Sequence, residues 1–350
     1  TGGDEFGILL SIDESRDEAE HVAKRIRAVL ATPFRLSDYQ IHVSCSIGIA
    51  YVDETVAEAE DVIRHAQFAV KRSKQSGRAE AYQNQAFLRA GEEFALETAL
   101  RRAIEERQLT LHFQPICDLS TGRIVSFEAL ARWTDEEGRA QSPARFIAVA
   151  EESGLILPLG RWAIDQAVRT LAAWDLRAGG DCGVSMAVNL SAIQLQRDAV
   201  APVVAAALDQ HGLSGRRLRL ELTESALVSE PERIARVLHA LKALGATIAM
   251  DDFGTGYSNL AYLQKLPIDI LKIDRSFITG MLADRDKVAI VRAVLGLAAA
   301  LNMDTVAEGI EAIEVGQTLA ALGCTCGQGY AYSRPVDAEA AYRLLRELNN

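Results

Sequence analysis

Apolar runs of strand length recur through residues 109–350, and helical periodicity fills most of the gaps between them. The runs lie at 111–116, 124–133, 184–190, 218–222, 247–250, 268–273, 304–307 and 329–332. Apolar positions return every three or four residues at 160–174, 200–210, 231–244, 288–301 and 315–322. Near-continuous apolar strands are those buried on both faces, so repeated strand–helix units predict a parallel α/β barrel of the (β/α)8 kind. The first two runs are joined too tightly for a crossover helix. They predict a hairpin, and hence one antiparallel strand.

Residues 1–80 have a different rhythm. A polar turn, Thr1-Gly2-Gly3-Asp4-Glu5-Phe6, leads into a strand at 7–10, then a helix over 18–30, alternation over 41–51 and a helix over 57–76. This β-α-β-α order has too few elements for a closed sheet and reads as half of an α/β domain. From 80 to 106 the pattern is polar and helical, with Phe87, Phe94, Leu96 and Leu100 as one imperfect stripe, which predicts a connecting helix. The expected division is 1–80, 81–106 and 107–350.

Composition narrows the function. The chain is 49% hydrophobic and 24% charged, and it lacks the run of about 18 apolar residues that spans a bilayer. A formal net charge of −11 argues against long nucleic acid, whose phosphates need clustered Lys and Arg. A small anionic substrate fits if cations cover the acidic site. Cys45, Cys117, Cys182, Cys324 and Cys326 are odd in number and mostly set in apolar runs, as expected of reduced thiols in the cytoplasm. Cys324 and Cys326 lack the second half of a metal motif and read as structural. The chain opens at Thr1 without an initiator Met or a signal-like segment, which reads as a piece of something longer, with upstream targeting left open.

The acids are placed informatively. Glu128, Glu221, Asp251 and Glu308 fall at or just after the carboxyl ends of expected strands, as do Asn189 and Lys272. One acid at a strand end is usually a solvated edge or a helix N-cap. Several converging on the rim of one barrel are better explained as a site. Crowded carboxylates repel unless cations neutralise them, and an all-oxygen donor set selects Mg²⁺ or Mn²⁺. The neighbours Asp251 and Asp252 suit two ions, one carboxylate bridging and the other holding the second. The loop that follows, from Phe253 to Leu260, contains two glycines and no Walker lysine, so it reads as a mobile loop coupled to the site.

The stretch Ser126-Phe127-Glu128-Ala129-Leu130-Ala131-Arg132-Trp133 resembles the signature of the EAL family of cyclic di-GMP phosphodiesterases. Further similar motifs follow in order: Gln114-Pro115-Ile116, Asn189-Leu190-Ser191, Glu221-Leu222-Thr223-Glu224, Asp251-Asp252-Phe253-Gly254, Leu271-Lys272-Ile273-Asp274, Ala307-Glu308-Gly309-Ile310-Glu311 and Gln328-Gly329-Tyr330. The resemblance implies a TIM-like barrel that opens cyclic di-GMP to linear pGpG with two ions. It implies that Glu128, Asn189, Glu221 and Asp251 hold one metal, and Asp251 and Asp252 the second. Lys272 would orient the attacking water and Glu308 would be the base or an outer metal partner. Gln328 would lie beside metal and base, Gln114, Leu130 and Arg132 would touch substrate, and Glu224 and Glu311 would hold the loop after Asp252. Ala131 and Asn259 are mild departures. Pairing of two barrels through the region after that loop is a further implication.

Gly2-Gly3-Asp4-Glu5-Phe6, Ser46-Ile47-Gly48-Ile49-Ala50 and Lys74-Gln75-Ser76-Gly77-Arg78 resemble the later motifs of the GGDEF family of diguanylate cyclases. The family's earlier elements have no counterpart here, so a partial GGDEF-like domain without cyclase activity is expected. GTP binding and bifunctional synthesis would then belong only to a longer parent. Two readings of the barrel stay open: a phosphodiesterase, favoured by the intact acids, and a binding-only receptor.

Overall fold

The computed structural model describes residues 4–10, 17–36, 39–52, 59–82, 84–227, 230–254 and 263–349. Gly2 and Gly3, and residues 255–262 of the loop after Asp252, lie outside them. The chain forms two units, Thr1–Ala95 and Leu96–Asn350. Among the described residues no helix is long and apolar enough to cross a membrane.

The first unit contains α1 (Asp17–Leu30), an antiparallel pair β1 (Phe34–Leu36) and β2 (Tyr39–Ile41), then β3 (Gly48–Ile49), α2 (Ala59–Ser76) and β4 (Glu80–Ala81). β3 and β4 pair in parallel. The strand expected at 7–10 does not form, and Ile8 and Leu9 are exposed. A strand exists only through a ladder partner, and no described residue pairs with this one. Alternation over 41–51 resolves into short pieces for the same reason.

Helix α3 (Asn84–Glu105) runs across the division between units. Leu96 and Leu100 are buried with Ala103, whereas Phe94 is exposed. Residues two apart stand on opposite sides of a helix, so Phe94 and Leu96 cannot share the expected stripe.

The second unit is a closed barrel. Its strands are β5 (Leu109–Asp118), β6 (Ile124–Thr134), β8 (Ser185–Asn189), β9 (Leu218–Thr223), β10 (Thr247–Phe253), β11 (Ile270–Ile273), β12 (Asp304–Ala307) and β13 (Cys326–Gln328). They pair in the order β5-β13-β12-β11-β10-β9-β8-β6, and β6 closes on β5. β5 is antiparallel to both neighbours, as its tight link to β6 requires, and every other barrel pair is parallel. A two-residue strand, β7 (Ala140–Gln141), extends β6. Helices α4 (Pro143–Ser153), α5 (Ile156–Ala178), α6 (Ala192–Arg197), α7 (Val200–His211), α8 (Pro231–Ala243), α9 (Arg275–Ile278), α10 (Arg285–Ala300), α11 (Ile313–Ala321) and α12 (Ala338–Asn349) belong to this unit.

One strand lies earlier than expected. β13 ends at Gln328, and the run 329–332 is a turn in which the amides of Tyr332 and Ser333 donate to the Gly329 carbonyl. A Cβ on Gly329 would sit 2.1 Å from the Ile310 carbonyl oxygen, so only glycine lets the chain turn there. The tyrosines that imitate a strand are partly exposed turn residues.

The barrel's interior is lined by Ile116, Ala187, Ala249, Ile270, Val306 and Cys326, while its outer face packs on the helices through residues such as Trp174, whose ring meets Phe113 and Phe127 edge-on. At the amino end of the parallel strands, Arg217 forks onto Asp175 of α5 at 2.9 and 3.0 Å and donates to the Val184 carbonyl at 2.7 Å. Burial pushes the Asp175 carboxyl up, but Arg217 and the Cys182 amide outweigh it and hold it below the usual carboxylate range. A lowered pKa contributes stability above the ordinary carboxylate value that is lost as pH falls through the folded value. Asp175→Asn should therefore cost about 2–3 kcal/mol at neutral pH. The deficit should shrink as chemical denaturation is repeated below about pH 4.

Candidate active site

Each of the eight barrel strands delivers a polar side chain to the same end of the barrel. Gln114 on β5 stands opposite Glu128 on β6. The Gln328 amide at the end of β13 donates to Gln114 at 3.1 Å and to Glu128 Oε2 at 2.6 Å. Asn189, the last residue of β8, donates to Glu128 Oε1 at 2.7 Å. Both oxygens of Glu128 are thus engaged. Burial raises this carboxyl, but Lys272, Gln328 and Asn189 together hold it below its ordinary value.

Lys272 of β11 is fully buried and joins the remaining acids. Its ammonium reaches Glu221 at 2.5 Å, Glu308 at 2.7 Å and Asp251 at 3.1 Å. Burial disfavours its charge, but these acids and Glu128 outweigh it and raise its pKa well above that of free lysine. The acids are under-neutralised in turn. Burial pushes Glu221 up to about 7 against the pull of Lys272, with Glu128 and Asp251 adding to the rise. Burial likewise pushes Glu308 up to about 8, with Asp251 and Glu128 acting in the same sense.

Adjacent strand residues normally point to opposite faces, so Asp251 and Asp252 could not share a site on a regular strand. The ladder between β10 and β11 is irregular between Met250 and Phe253, and Asp252 has a left-handed φ of 55°. An irregularity of this kind re-aims side chains, and Asp tolerates that backbone better than most residues. Oxygens of Asp251, Asp252 and Glu308 consequently lie within 4.8 Å of one another.

Glu128, Leu130 and Arg132 alternate along β6 and so line one face, an acid at the floor and a half-buried guanidinium further along. Burial lowers the Arg132 pKa, and Glu128 and Tyr330 oppose the shift. Gln114 is held by donating to the Ser333 carbonyl at 3.1 Å. Glu224 follows β9, buried, with Oε2 lacking a hydrogen-bond partner, and Glu311 is exposed three residues after Glu308. Because residues 255–262 lie outside the described residues, no contact of either acid with the loop is described.

Sequence reading missed Arg219. It lies two residues before Glu221 on β9, buried, with Nε and Nη1 unpartnered. The signal was there: Leu218-Arg219-Leu220-Glu221-Leu222 alternates strictly, which places both charges on one face.

The donor set fits hard divalent cations. It is made of carboxylates and an amide, without His or Cys, and Glu221 Oε1 is buried without a partner. Among the described residues, Asp251, Asp252 and Glu308 form a group that could hold such an ion, with Glu128, Asn189 and Glu221 on neighbouring strands.

Residues 97–335 match the EAL domain model, and residues 1–80 match that of the diguanylate cyclase GGDEF domain. The chain belongs to the EAL domain family. Members of this family use divalent metal ions, in keeping with the acids gathered here. The chain is 37% identical to cyclic di-GMP phosphodiesterase PdeR of Escherichia coli K12, over 99% of this chain and 52% of that protein. It is 37% identical to the bifunctional diguanylate cyclase/cyclic di-GMP phosphodiesterase MucR of Pseudomonas aeruginosa, over 97% of this chain and 49% of that protein. The chain therefore spans about half the length of these curated relatives. Among solved structures, the PaMucR phosphodiesterase in complex with c-di-GMP shares 40% identity at a TM-score of 0.67, covering 71% of this chain and 99% of that one. The EAL enzyme Bd1971 with cAMP and cyclic di-GMP bound shares 31% identity at a TM-score of 0.71, covering 83% of this chain and 77% of that one.

The raised carboxyls of the EAL site give a test in metal-free buffer. Glu221 and Glu308 bind protons more tightly folded than unfolded, so their contribution to stability falls as pH rises from the ordinary carboxylate value through about 7 and 8. Cations relieve that repulsion. The rise in melting temperature on adding Mn²⁺ should be larger at pH 8 than at pH 5.5 in a thermal-shift assay, and equal increments would contradict this account.

Proposed function

We propose that this EAL domain protein hydrolyses cyclic di-GMP to linear pGpG with two Mg²⁺ or Mn²⁺ ions. The observation that carries the reading is the convergence of Glu128, Asn189, Glu221, Asp251, Asp252 and Glu308 around the buried Lys272, with Arg132 further along the Glu128 strand face. The names of PdeR and MucR and the c-di-GMP complex of PaMucR support the substrate. An intact acid set favours turnover over a binding-only receptor.

Divalent ions, when bound, supply positive charge for the phosphodiester oxygens and lower the pKa of coordinated water. The chain's own groups do the rest. Arg132 meets a phosphate oxygen with a charge-assisted hydrogen bond, and Gln114 and Leu130 flank it as further substrate contacts. Lys272 orients the attacking water by sharing with it a proton of the ammonium that here lies on Glu221, Asp251 and Glu308. Glu308, whose carboxyl burial pushes up to about 8, accepts the water's proton as the oxygen adds at phosphorus and the opposite ester bond breaks, the departing oxygen taking a proton from solvent to become the free hydroxyl. Gln328 keeps Glu128 aligned. The loop-anchoring role proposed for Glu224 and Glu311 rests on family resemblance.

The functional division proposed is 1–80, 81–106 and 107–350, supported by helix α3 at 84–105 and by the GGDEF match over 1–80, while the EAL match begins at 97, within that helix. Pairing of two barrels, and GTP binding by the front segment in a longer parent, belong to the same proposal and rest on family resemblance.

Incubation with cyclic di-GMP and Mn²⁺, followed by chromatography, should yield pGpG, and EDTA should abolish it. Substantial turnover without metal would overturn the mechanism. Glu308→Gln should lower kcat by about 10²–10⁴ with little change in KM. Arg132→Ala should instead raise KM by about 10–100-fold. In a Glu128→Ala background, incubation with GTP and Mg²⁺ should accumulate no cyclic di-GMP, because residues 1–80 resemble only the later motifs of the GGDEF family.

A further inference from the structure

Asn189 closes β8 and is exposed, yet its amide is held on Glu128. A strand-end side chain in that position needs its backbone fixed from beyond. Three anchors do this from three different elements. The Leu190 amide donates to the Glu221 carbonyl of β9 at 2.7 Å. Ser191 then caps α6: its hydroxyl accepts from the Ile193 amide, and its own amide donates to Gln194 Oε1 at 3.1 Å, a complete capping box.

A capping box closes on itself and needs nothing else. Here the Ser191 hydroxyl also donates to Glu151 Oε1 of α4 at 2.6 Å, which spends its single proton on another helix. Gln194 is also packed outward, with no hydrogen-bond partner for its Nε2 among the described residues. It is buried, and its amide lies so close to α5 that a Cβ on Gly160 would stand 1.9 Å from Nε2. α4 and α5 are firm supports, sharing a cluster that includes Phe146, Val149, Ile156 and Leu159, against which Ile193 also packs.

We propose that Glu151, through Ser191, is a positioning residue that holds Asn189 in register with Glu128 for metal binding. The proposal rests on the phosphodiesterase reading of this site. Partners lying behind a metal ligand typically change metal affinity by about 10–100-fold when removed. A helix cap alone would change stability and leave affinity untouched.

The test is direct titration of the full chain with Mn²⁺ by calorimetry in the absence of substrate, beside melting temperature and steady-state kinetics. Glu151→Ala should weaken Mn²⁺ binding about tenfold and raise the Mn²⁺ concentration needed for half-maximal activity, with KM for cyclic di-GMP unchanged. Glu151→Gln keeps an acceptor for the hydroxyl and should bind Mn²⁺ within about threefold of the parent, in line with one retained neutral hydrogen bond. Ser191→Ala, which removes the donor and leaves α4 intact, should reproduce the loss if Glu151→Ala proves too unstable to titrate. Parent-like Mn²⁺ affinity in Glu151→Ala or Ser191→Ala, with only a lower melting temperature, would overturn the positioning role while leaving the phosphodiesterase reading in place. Failure of the parent chain itself to bind Mn²⁺ would overturn both.

Discussion

The site is organised by repulsion among acids that the barrel forces together, and by the single ammonium that makes the arrangement tolerable. Two like charges at 4 Å oppose each other by about 4 kcal/mol at an effective dielectric of about 20. Glu221, Asp251 and Glu308 each lie within 3.1 Å of Lys272 Nζ, and Glu128 adds to the same field. Burial drives two of these carboxyls upward, the neighbouring acids add to the rise, and the one ammonium does not offset it. The deficit of positive charge is the chemical basis of the site's preference for added cations.

Burial makes this pattern strict. Ala187, Ala249, Ile270 and Val306 line the interior below Lys272 and offer it no acceptor, so the ammonium has the acids as its partners. Removing one member leaves the others short of a partner in a medium of low polarity, where an unpaired charge is expensive. Structural anchoring is kept elsewhere. Arg217 and Asp175 hold the amino ends of β8 and β9, away from the clustered acids, so frame and acidic site occupy opposite ends of the same strands.

Most of the barrel is legible in the chain because its strands are apolar throughout and its acids break that pattern at their ends. What escapes is what depends on distant partners. The run 329–332 imitates a strand, but the approach of Ile310 turns it aside. Residues 7–10 have the composition of a strand and no described partner to make them one. Asp251 and Asp252 are visible as a pair, yet the irregular ladder that lets neighbours act together is set by β11, about twenty residues on. The Ser191–Gln194 capping box is a local signal, whereas its link to Glu151 joins residues 40 apart and has no local signature.

The reversed first strand decides where the barrel is attached to the rest of its chain. In an all-parallel barrel the leading strand rises from the floor, so upstream sequence is fastened at the structural end. Here Leu109 stands opposite Trp133, beyond Glu128, while Cys117 at the other end of β5 pairs with Ile124. The polypeptide therefore arrives at the open mouth and descends toward the floor. From Leu109 to Gln114, which donates beside the acids, is a leash of about 17 Å at the rise of an extended strand. Turning one strand end for end thus starts β5 at the same end of the barrel as the clustered acids and makes it run toward the opposite end.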